Sequence, residues 1–408
     1  MVMAILNYTR HTLRTFFQSQ NRAYQETEKR GKRVYVNCLV QTSLTNDQTT
    51  TEKQTFQTHI LYALTRHNTP SINIHNGEVR MVTLRALAPS LTRITVAGAV
   101  GAALHIGQGN CDLIDDQAVE FSRAVLHQTD VEGEVICCEG PKDNAPSFAY
   151  REKVGTGTGP KVEFVIDPVD GTTAASKGRK DAISALACAP AGCFQVLPDD
   201  GYYFKIATSN HSMGKITVDM TVEEIVRTVA KSKNVPIANF TVIMLDRERH
   251  NEILAQLRKL GVRIILIPDG DIAAAVVACT PNSGVDLLIG AGAGPEATIA
   301  ATAVKCLGGT MLVKVWQDKK DDPKRLDRLR KAGVDVEKTY NQDELAKGKE
   351  LVFAASGVTK GELLDGVRLI PDGAVVHSIC MRLPSGTIEK SETTLRFKGH
   401  PVYQQFMP

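Results

Sequence analysis

The chain has 408 residues and a mass of 44.3 kDa; 43% of the residues are hydrophobic and the formal net charge is +3. This size and apolar share exclude a disordered or purely charged chain and leave room for two compact domains. Nearly balanced charge, with no long basic block interleaved with aromatics, excludes an obvious nucleic-acid partner. Nine cysteines without a CxxC pair indicate neither a structural zinc site nor a disulfide framework, so an intracellular compartment is expected.

The first 25 residues carry Arg10, Arg14 and Arg22 and no acid, which reads as an organelle presequence or as an ordinary basic arm. Plastid, mitochondrion and cytoplasm stay open. Residues 27–80 are polar and threonine-rich, so 1–82 is read as an N-terminal extension. From Met81 apolar residues recur at helical spacing, and two helices are expected to bracket GQGNCDLIDD at 107–116. No apolar run reaches the length of a membrane span, and no membrane partner is expected. GEVICC reads as a strand ending at Glu139, and KVEFVIDPVDG as a strand ending at Asp167.

SALACAPAGCF reads as a strand or a helix-to-strand passage, and PDDGYYFKIA as a hairpin-like segment. Glycine and polar residues in NHSMGKITVD suggest a linker, dividing 83–218 from 219–408. Beyond it, TVEEIVRTVAKSKN is a helix, and residues 240–280 read as strand, helix, strand, helix. VDLLIGAGAGPEAT is a strand, a glycine-rich bend and a helix; KDDPKRLDRLRKAG is a charged surface helix. The alternating tail after residue 374 reads as antiparallel strands returning to the first domain.

Strand ends carrying acids recur: Asp167 and Asp170, Glu139, Asp269 and Asp271, and Glu296, with Asp115 and Asp116 upstream. A lone acid in such a place is more often a solvated loop or a cap. Together, beside glycine or proline at the ends of apolar runs, they make a set of hard oxygen donors suited to Mg²⁺ or Mn²⁺, and phosphoester hydrolysis is the chemistry such a set serves. Gly171 allows a sharp turn, and Thr172 and Thr173 are donors to phosphoryl oxygen or simple helix caps. GTGTG at 155–159 lacks the lysine of a phosphate loop and reads as a tight turn. Arg249 is either a fork for a second phosphate or part of an exposed helix start, and Tyr202 and Tyr203 line a sugar pocket or pack in a hairpin.

Several ordered motifs resemble the class II fructose-1,6-bisphosphatase family, including the bacterial type and the cyanobacterial forms that also act on sedoheptulose 1,7-bisphosphate. They are EG at 139–140, NAPSFAYREKVGTG at 144–157, DPVDGTT at 167–173, RH at 249–250, PDGD at 268–271, GPE at 294–296 and SGVTKG at 356–361, in register from Thr83 to Lys398. The resemblance implies a layered α/β/α/β/α sugar-phosphatase fold related to inositol monophosphatases, a homodimer or homotetramer, and hydrolysis of fructose 1,6-bisphosphate to fructose 6-phosphate and phosphate. It places metal ligands at Asp115, Glu139, Asp167, Asp170 and Glu296, with Asp115 and Thr172 catalytic. Substrate positions fall on Asp170, Gly171, Thr172, Tyr202, Arg247, Arg249, Asp269 and Asp271. The chain departs from the family at Asn110 and Cys111, where an acid and a lysine are common. That departure leaves a catalytically silent sugar-phosphate-binding or structural member as the alternative. A dinucleotide oxidoreductase, resting on the glycines of 290–294 alone, lacks the spaced ribose-binding acid.

Overall fold

The computed structural model describes residues 84–137, 148–317 and 324–406, together with the backbone of 72–75 and 78–81. The expected presequence, most of the extension, and Glu139 lie outside the described residues. Strands β1 (Ile72–His75) and β2 (Glu78–Met81) pair antiparallel and lead into α1 (Leu84–Ala103). By length and apolarity α1 would suffice to cross a bilayer, contrary to the sequence expectation. Its apolar surface is instead packed: α2 (Cys111–Leu126) lies against it, and the first sheet covers another side.

The acidic segment expected between two helices is itself helical. Asn110 sits in an extended conformation and its Oδ1 accepts the Leu113 N–H at 3.1 Å, so α2 begins at Cys111, ahead of the acids. With an acid, Asp112, in the first turn to complement the helix dipole, CDLIDD enters the helix and Asp115 rides on it.

The chain then lays down β3 (Glu132–Cys137), β4 (Glu152–Val154), β5 (Lys161–Asp170), the short helix α3 (Thr172–Ser176) and β6 (Ile183–Pro190). Gly155, Gly157 and Gly159 all have positive φ and turn β4 into β5, as expected of GTGTG. It crosses to a second sheet with β7 (Tyr203–Thr208), followed by α4 (Val222–Lys233), β8 (Thr241–Leu245), α5 (Asn251–Leu260), β9 (Arg263–Ile267), α6 (Ile272–Cys279), β10 (Leu287–Gly292), α7 (Gly294–Leu307) and β11 (Thr310–Val315). After α8 (Arg325–Lys331), β12 (Tyr340–Asn341) and α9 (Gln342–Leu345), it returns to the first sheet as β13 (Leu351–Gly357), β14 (Arg368–Ile370), β15 (Gly373–Leu383) and β16 (Thr387–Arg396).

The first sheet has the order β14-β15-β13-β6-β5-β3-β4, with β16 also paired to β15; the second has β12-β11-β7-β10-β8-β9. Helix and sheet layers alternate. α1 and α2 cover one face of the first sheet, α6 and α7 fill the apolar layer on its other face against the second sheet, and α4 and α5 cover the far face of the second. Each sheet draws strands from both sides of residue 219.

PDDGYYFKIA is not a hairpin: β7 pairs with β10 and β11, so residues 198–202 carry the chain from one sheet to the other. Arg325 secures this crossing. Its guanidinium donates to the carbonyls of Asp200 (2.6 Å), Trp316 (2.7 Å) and Tyr202 (2.7 Å), and a Cβ on Gly201 would meet Arg325 Nε at 2.1 Å. The expected charged surface helix therefore begins with a buried arginine.

Candidate active site

Strand β5 runs three residues past the expected end at Asp167. Its apolar residues are buried on both faces, and the pairing with β6 continues from Asp167↔Ala185 to Asp170↔Ile183. Three steps on β5 against two on β6 make a bulge of one residue, at Pro168–Val169, where proline's missing N–H costs no ladder bond. The bulge has a chemical consequence. In an unbroken strand Asp167 and Asp170, three apart, would point to opposite faces; the extra residue returns both to the face that carries Val165, toward α7. Val169 N–H donates to Asp167 Oδ1 at 3.0 Å, and both carboxylates are buried.

After Asp170, Gly171 adopts φ +99°, and a Cβ there would press on the Ala182 backbone at 3.2 Å, so this sharp exit from the strand belongs to glycine. Thr172 then faces α2. Its hydroxyl lies 2.7 Å from Asp115 Oδ1 and 2.9 Å from the Val169 carbonyl, so one proton serves two acceptors. Neighbouring Cys111 Sγ lies 3.3 Å from Ser176 Oγ, within contact of α3.

β8, β9 and β10 are parallel, and the residues at their carboxyl ends, the place where ligands bind in open α/β sheets, are bonded to one another, Arg247 to Pro268 and Arg249 to Ala291. The PDGD turn after β9 locks onto the β5 exit at two points: Ile272 N–H donates to Asp170 Oδ2 at 3.0 Å, and Thr173 N–H to Asp269 Oδ2 at 3.2 Å. Burial, and then the like charges of Asp271, Glu296 and Asp269, push the Asp170 carboxyl well above the usual carboxylate range; the Ile272 N–H opposes them. Asp271 is held by Lys205, whose Nζ reaches both carboxylate oxygens at 2.8 and 2.7 Å.

The basic end is built from the segment after β8. Arg247 donates to Asp269 Oδ1 at 2.7 Å and to the carbonyls of Pro268 and Asp246. Arg249 forks onto the Ala291 carbonyl with Nε at 3.0 Å and Nη2 at 2.7 Å, and its guanidinium carbon stands 3.8 Å over the Tyr202 ring. Tyr202 is 42% exposed, whereas Tyr203 is buried and donates its hydroxyl to the Pro198 carbonyl. Of the two adjacent tyrosines, the one against Arg249 is Tyr202. His250 accepts the Ala291 N–H at Nε2 (2.7 Å), so Nδ1 carries the proton toward the Leu245 carbonyl (2.8 Å). Burial holds this ring below its ordinary pKa, with the Arg249 charge adding to that effect and the Leu245 carbonyl opposing it.

The structure therefore joins Thr172 with Asp115, gathers Asp170, Asp269, Asp271 and Glu296 into one electrostatic neighbourhood, and links Arg247 to it through Asp269. Asp167 shares the bulge with Asp170, and Gly171 forms the turn. Glu139 lies outside the described residues. Among the described residues no three His, Cys, Asp or Glu side chains stand in metal-holding geometry. The donor chemistry nonetheless fits a hard divalent cation: Asp167, Asp170 and Glu296 are buried carboxylate oxygens, and the like-charge crowding around Asp170 is what such an ion relieves. Three contributors escaped the sequence reading: Lys205, His250 as a brace between β8 and β10, and Arg325. Lys205 had one signal, its even spacing from the apolar Tyr203 and Ala207 along one strand.

Residues 85–395 match the family described as bacterial fructose-1,6-bisphosphatase, glpX-encoded. The chain is 32% identical over 319 residues to fructose-1,6-bisphosphatase 1 class 2 of Escherichia coli strain K12, an alignment spanning 76% of this chain and 95% of that protein. Fructose-1,6-bisphosphatase class 2 of Escherichia coli O6:H1 and that of Shigella flexneri align with the same identity and coverage. With these likenesses, the layered α/β scaffold and its acidic strand ends are those of an enzyme of the hydrolase class. The chain belongs to the class II fructose-1,6-bisphosphatase family.

Proposed function

We propose that the chain hydrolyses the C1 phosphate ester of D-fructose 1,6-bisphosphate, giving D-fructose 6-phosphate and phosphate, and turns over sedoheptulose 1,7-bisphosphate more slowly. The observation that carries this reading is that the turn bearing Thr172, paired with Asp115, is bonded through Thr173 to Asp269, which also holds Arg247, beside the acids around Asp170. The names of the relatives support the substrate.

Mg²⁺ or Mn²⁺ would be held by Asp115, Glu139, Asp167, Asp170 and Glu296, and when bound supplies Lewis-acid stabilisation and a more acidic water. In this reading Thr172 accepts a hydrogen bond from the attacking water at its hydroxyl oxygen while donating its own to Asp115 Oδ1; on attack the water's proton passes to the Thr172 oxygen as the Thr172 proton passes to Asp115. Arg249, already pre-oriented by Ala291 and Tyr202, receives the phosphate that does not react, with Arg247 beside it. Asp269 and Asp271 accept sugar hydroxyls, and Gly171 lets the backbone approach the substrate. A site that measures the distance between two phosphates tolerates one further sugar carbon and turns over little inositol monophosphate, which lacks the second phosphate.

The same reading takes the fold to be the five-layer sugar-phosphatase arrangement shared with inositol monophosphatases, the assembly to be a homodimer or homotetramer, and the basic N-terminus to be either a cleaved organelle address or an ordinary arm of a cytoplasmic protein. An intact Met1 on protein from a cytosolic fraction would remove the organelle address. Asn110 and Cys111, engaged with Leu113 and Ser176, are the observation behind a second reading, a member that binds sugar phosphate without turning it over.

Phosphate release is to be measured side by side on fructose 1,6-bisphosphate, sedoheptulose 1,7-bisphosphate and inositol monophosphate, with Mg²⁺, with Mn²⁺ and with a chelator. Release from the two bisphosphates that stops on chelation is expected. Preference for inositol monophosphate would overturn the role of the arginines, and calorimetric binding of the bisphosphate without release would establish the silent member.

A further inference from the structure

We propose that Lys205 is a positioning residue of the sugar site: acting through Asp271, it holds that carboxylate oriented to accept a substrate hydroxyl. The inference rests on the sugar-bisphosphatase reading above and adds a residue that the family motifs do not mark.

Lys205 lies at the middle of the second sheet, opposite Gly290 on β10 and Val313 on β11. It shares its face of β7 with Tyr203 and Ala207, in the apolar layer filled by α6 and α7, and is 1% exposed. A lysine in such a place keeps its charge only with a close partner. Here Nζ spans both oxygens of Asp271, which is itself 7% exposed.

Two further observations point from this pair to the site. Asp271 occupies the N-cap position of α6, where an aspartate ordinarily accepts a first-turn N–H, yet its side chain makes no cap bond. The carboxylate has been drawn off the helix toward Lys205. Gly292, at the carboxyl end of β10, leaves the space the pair occupies: a Cβ there would stand 1.9 Å from Asp271 Oδ2 and 3.0 Å from Lys205 Nζ. Asp271 in turn is the leading charged neighbour of Asp170. The residue after Asp271 is bonded to the same acid, Ile272 N–H to Asp170 Oδ2 at 3.0 Å, so the pair lies directly against the acidic cluster, and a buried ion pair contributes little net stability over an apolar replacement.

The test is a cycle of Lys205→Met, Asp271→Asn and the double variant in the full chain, with thermal unfolding, KM and kcat on fructose 1,6-bisphosphate, and calorimetric affinity for fructose 6-phosphate. Lys205→Met is expected to lower Tm, to raise KM and to weaken the monophosphate roughly tenfold or more, with a smaller change in kcat. The double variant, which buries no unpaired charge, is expected to recover Tm while KM and affinity stay at the level of Asp271→Asn. Recovery of affinity together with Tm would show the pair to be structural only. An effect of Lys205→Met that is as large in the Asp271→Asn background as in the parent would show that Lys205 does not act through Asp271. Either result overturns the proposal, and so does parental turnover with unchanged affinity in Lys205→Met. A parent that neither turns over the bisphosphate nor binds the monophosphate would overturn the functional reading as well.

Discussion

Asp269 and Asp271 stand two residues apart on one turn, each paired to a cation from the second sheet region, yet the two pairs are physically unlike. Asp269 and Arg247 have side chains 23% and 32% exposed, whereas Asp271 and Lys205 are 7% and 1% exposed. A half-exposed pair lies in a high effective dielectric, so its partners are held weakly and can trade one another for a ligand's phosphate or hydroxyl. A buried pair has given up its hydration, and separating it would leave a charge with nothing to replace the partner. The first pair is therefore the adjustable part of the site and the second its fixed part, although the sequence PDGD presents both aspartates alike.

The most direct way to break this contrast is to remove each acid. Asp271→Ala strands the Lys205 charge and should cost about 3–5 kcal/mol of stability, while Asp269→Ala should cost less than about 1 kcal/mol; denaturant unfolding of both variants checks this, and equal losses would erase the distinction. Next in size, Arg249→Ala should raise KM for the bisphosphate by roughly 10- to 100-fold with kcat changed less, because a charge-assisted contact to a phosphate is worth about 1.5–3 kcal/mol. A loss confined to kcat would move Arg249 from the distal phosphate to the reacting one. Smaller still, Tyr202→Leu removes the ring under the guanidinium and should raise KM about two- to fivefold, the worth of an exposed cation–π contact of about 0.5–1 kcal/mol.

The smallest effect sharpens how rigid the frame beside the adjustable end is. His250 has a folded pKa below its unfolded value, so the unfolded chain binds its proton first as pH falls. Stability from this neutral ring is fully present above about pH 6.5 and is lost as pH drops toward the folded pKa. Urea unfolding between pH 7 and pH 5 should show this fall, and His250→Gln, less stable at neutral pH, should lack that part of it. An identical slope in the variant would mean that the ring does not brace Leu245 to Ala291.

Local chemistry made the strand ends legible. The apolar run before Asp167, the glycine after Asp170 and the GPE start of α7 each announce an acid at the end of a buried element, because burial patterns and turn residues act over a few positions of chain. Where the structure departs from the pattern, either a single cap or a distant partner decides the outcome. The acidic stretch CDLIDD lacks apolar periodicity and reads as a link between helices, yet the Asn110 cap starts the helix ahead of it. PDDGYYFKIA has the look of a hairpin, but its strand finds β10 and β11, each more than eighty residues further along.

From the sequence alone came the kinds of group in the site and their order along the chain: carboxylates, a threonine, two arginines and the glycines that let the backbone bend between them. Only the tertiary structure decided which of them face one another. Asp167 and Asp170 share a face because β6 is one residue short opposite them, Thr172 finds Asp115 because α2 packs over the exit of β5, and Asp271 turns from its helix to Lys205 because β7 lies between β10 and β11. Side-chain alternation is a property of one strand and can be read locally. Register, bulges and the burial of a charge are properties of two segments at once, and their free energy appears only when those segments meet.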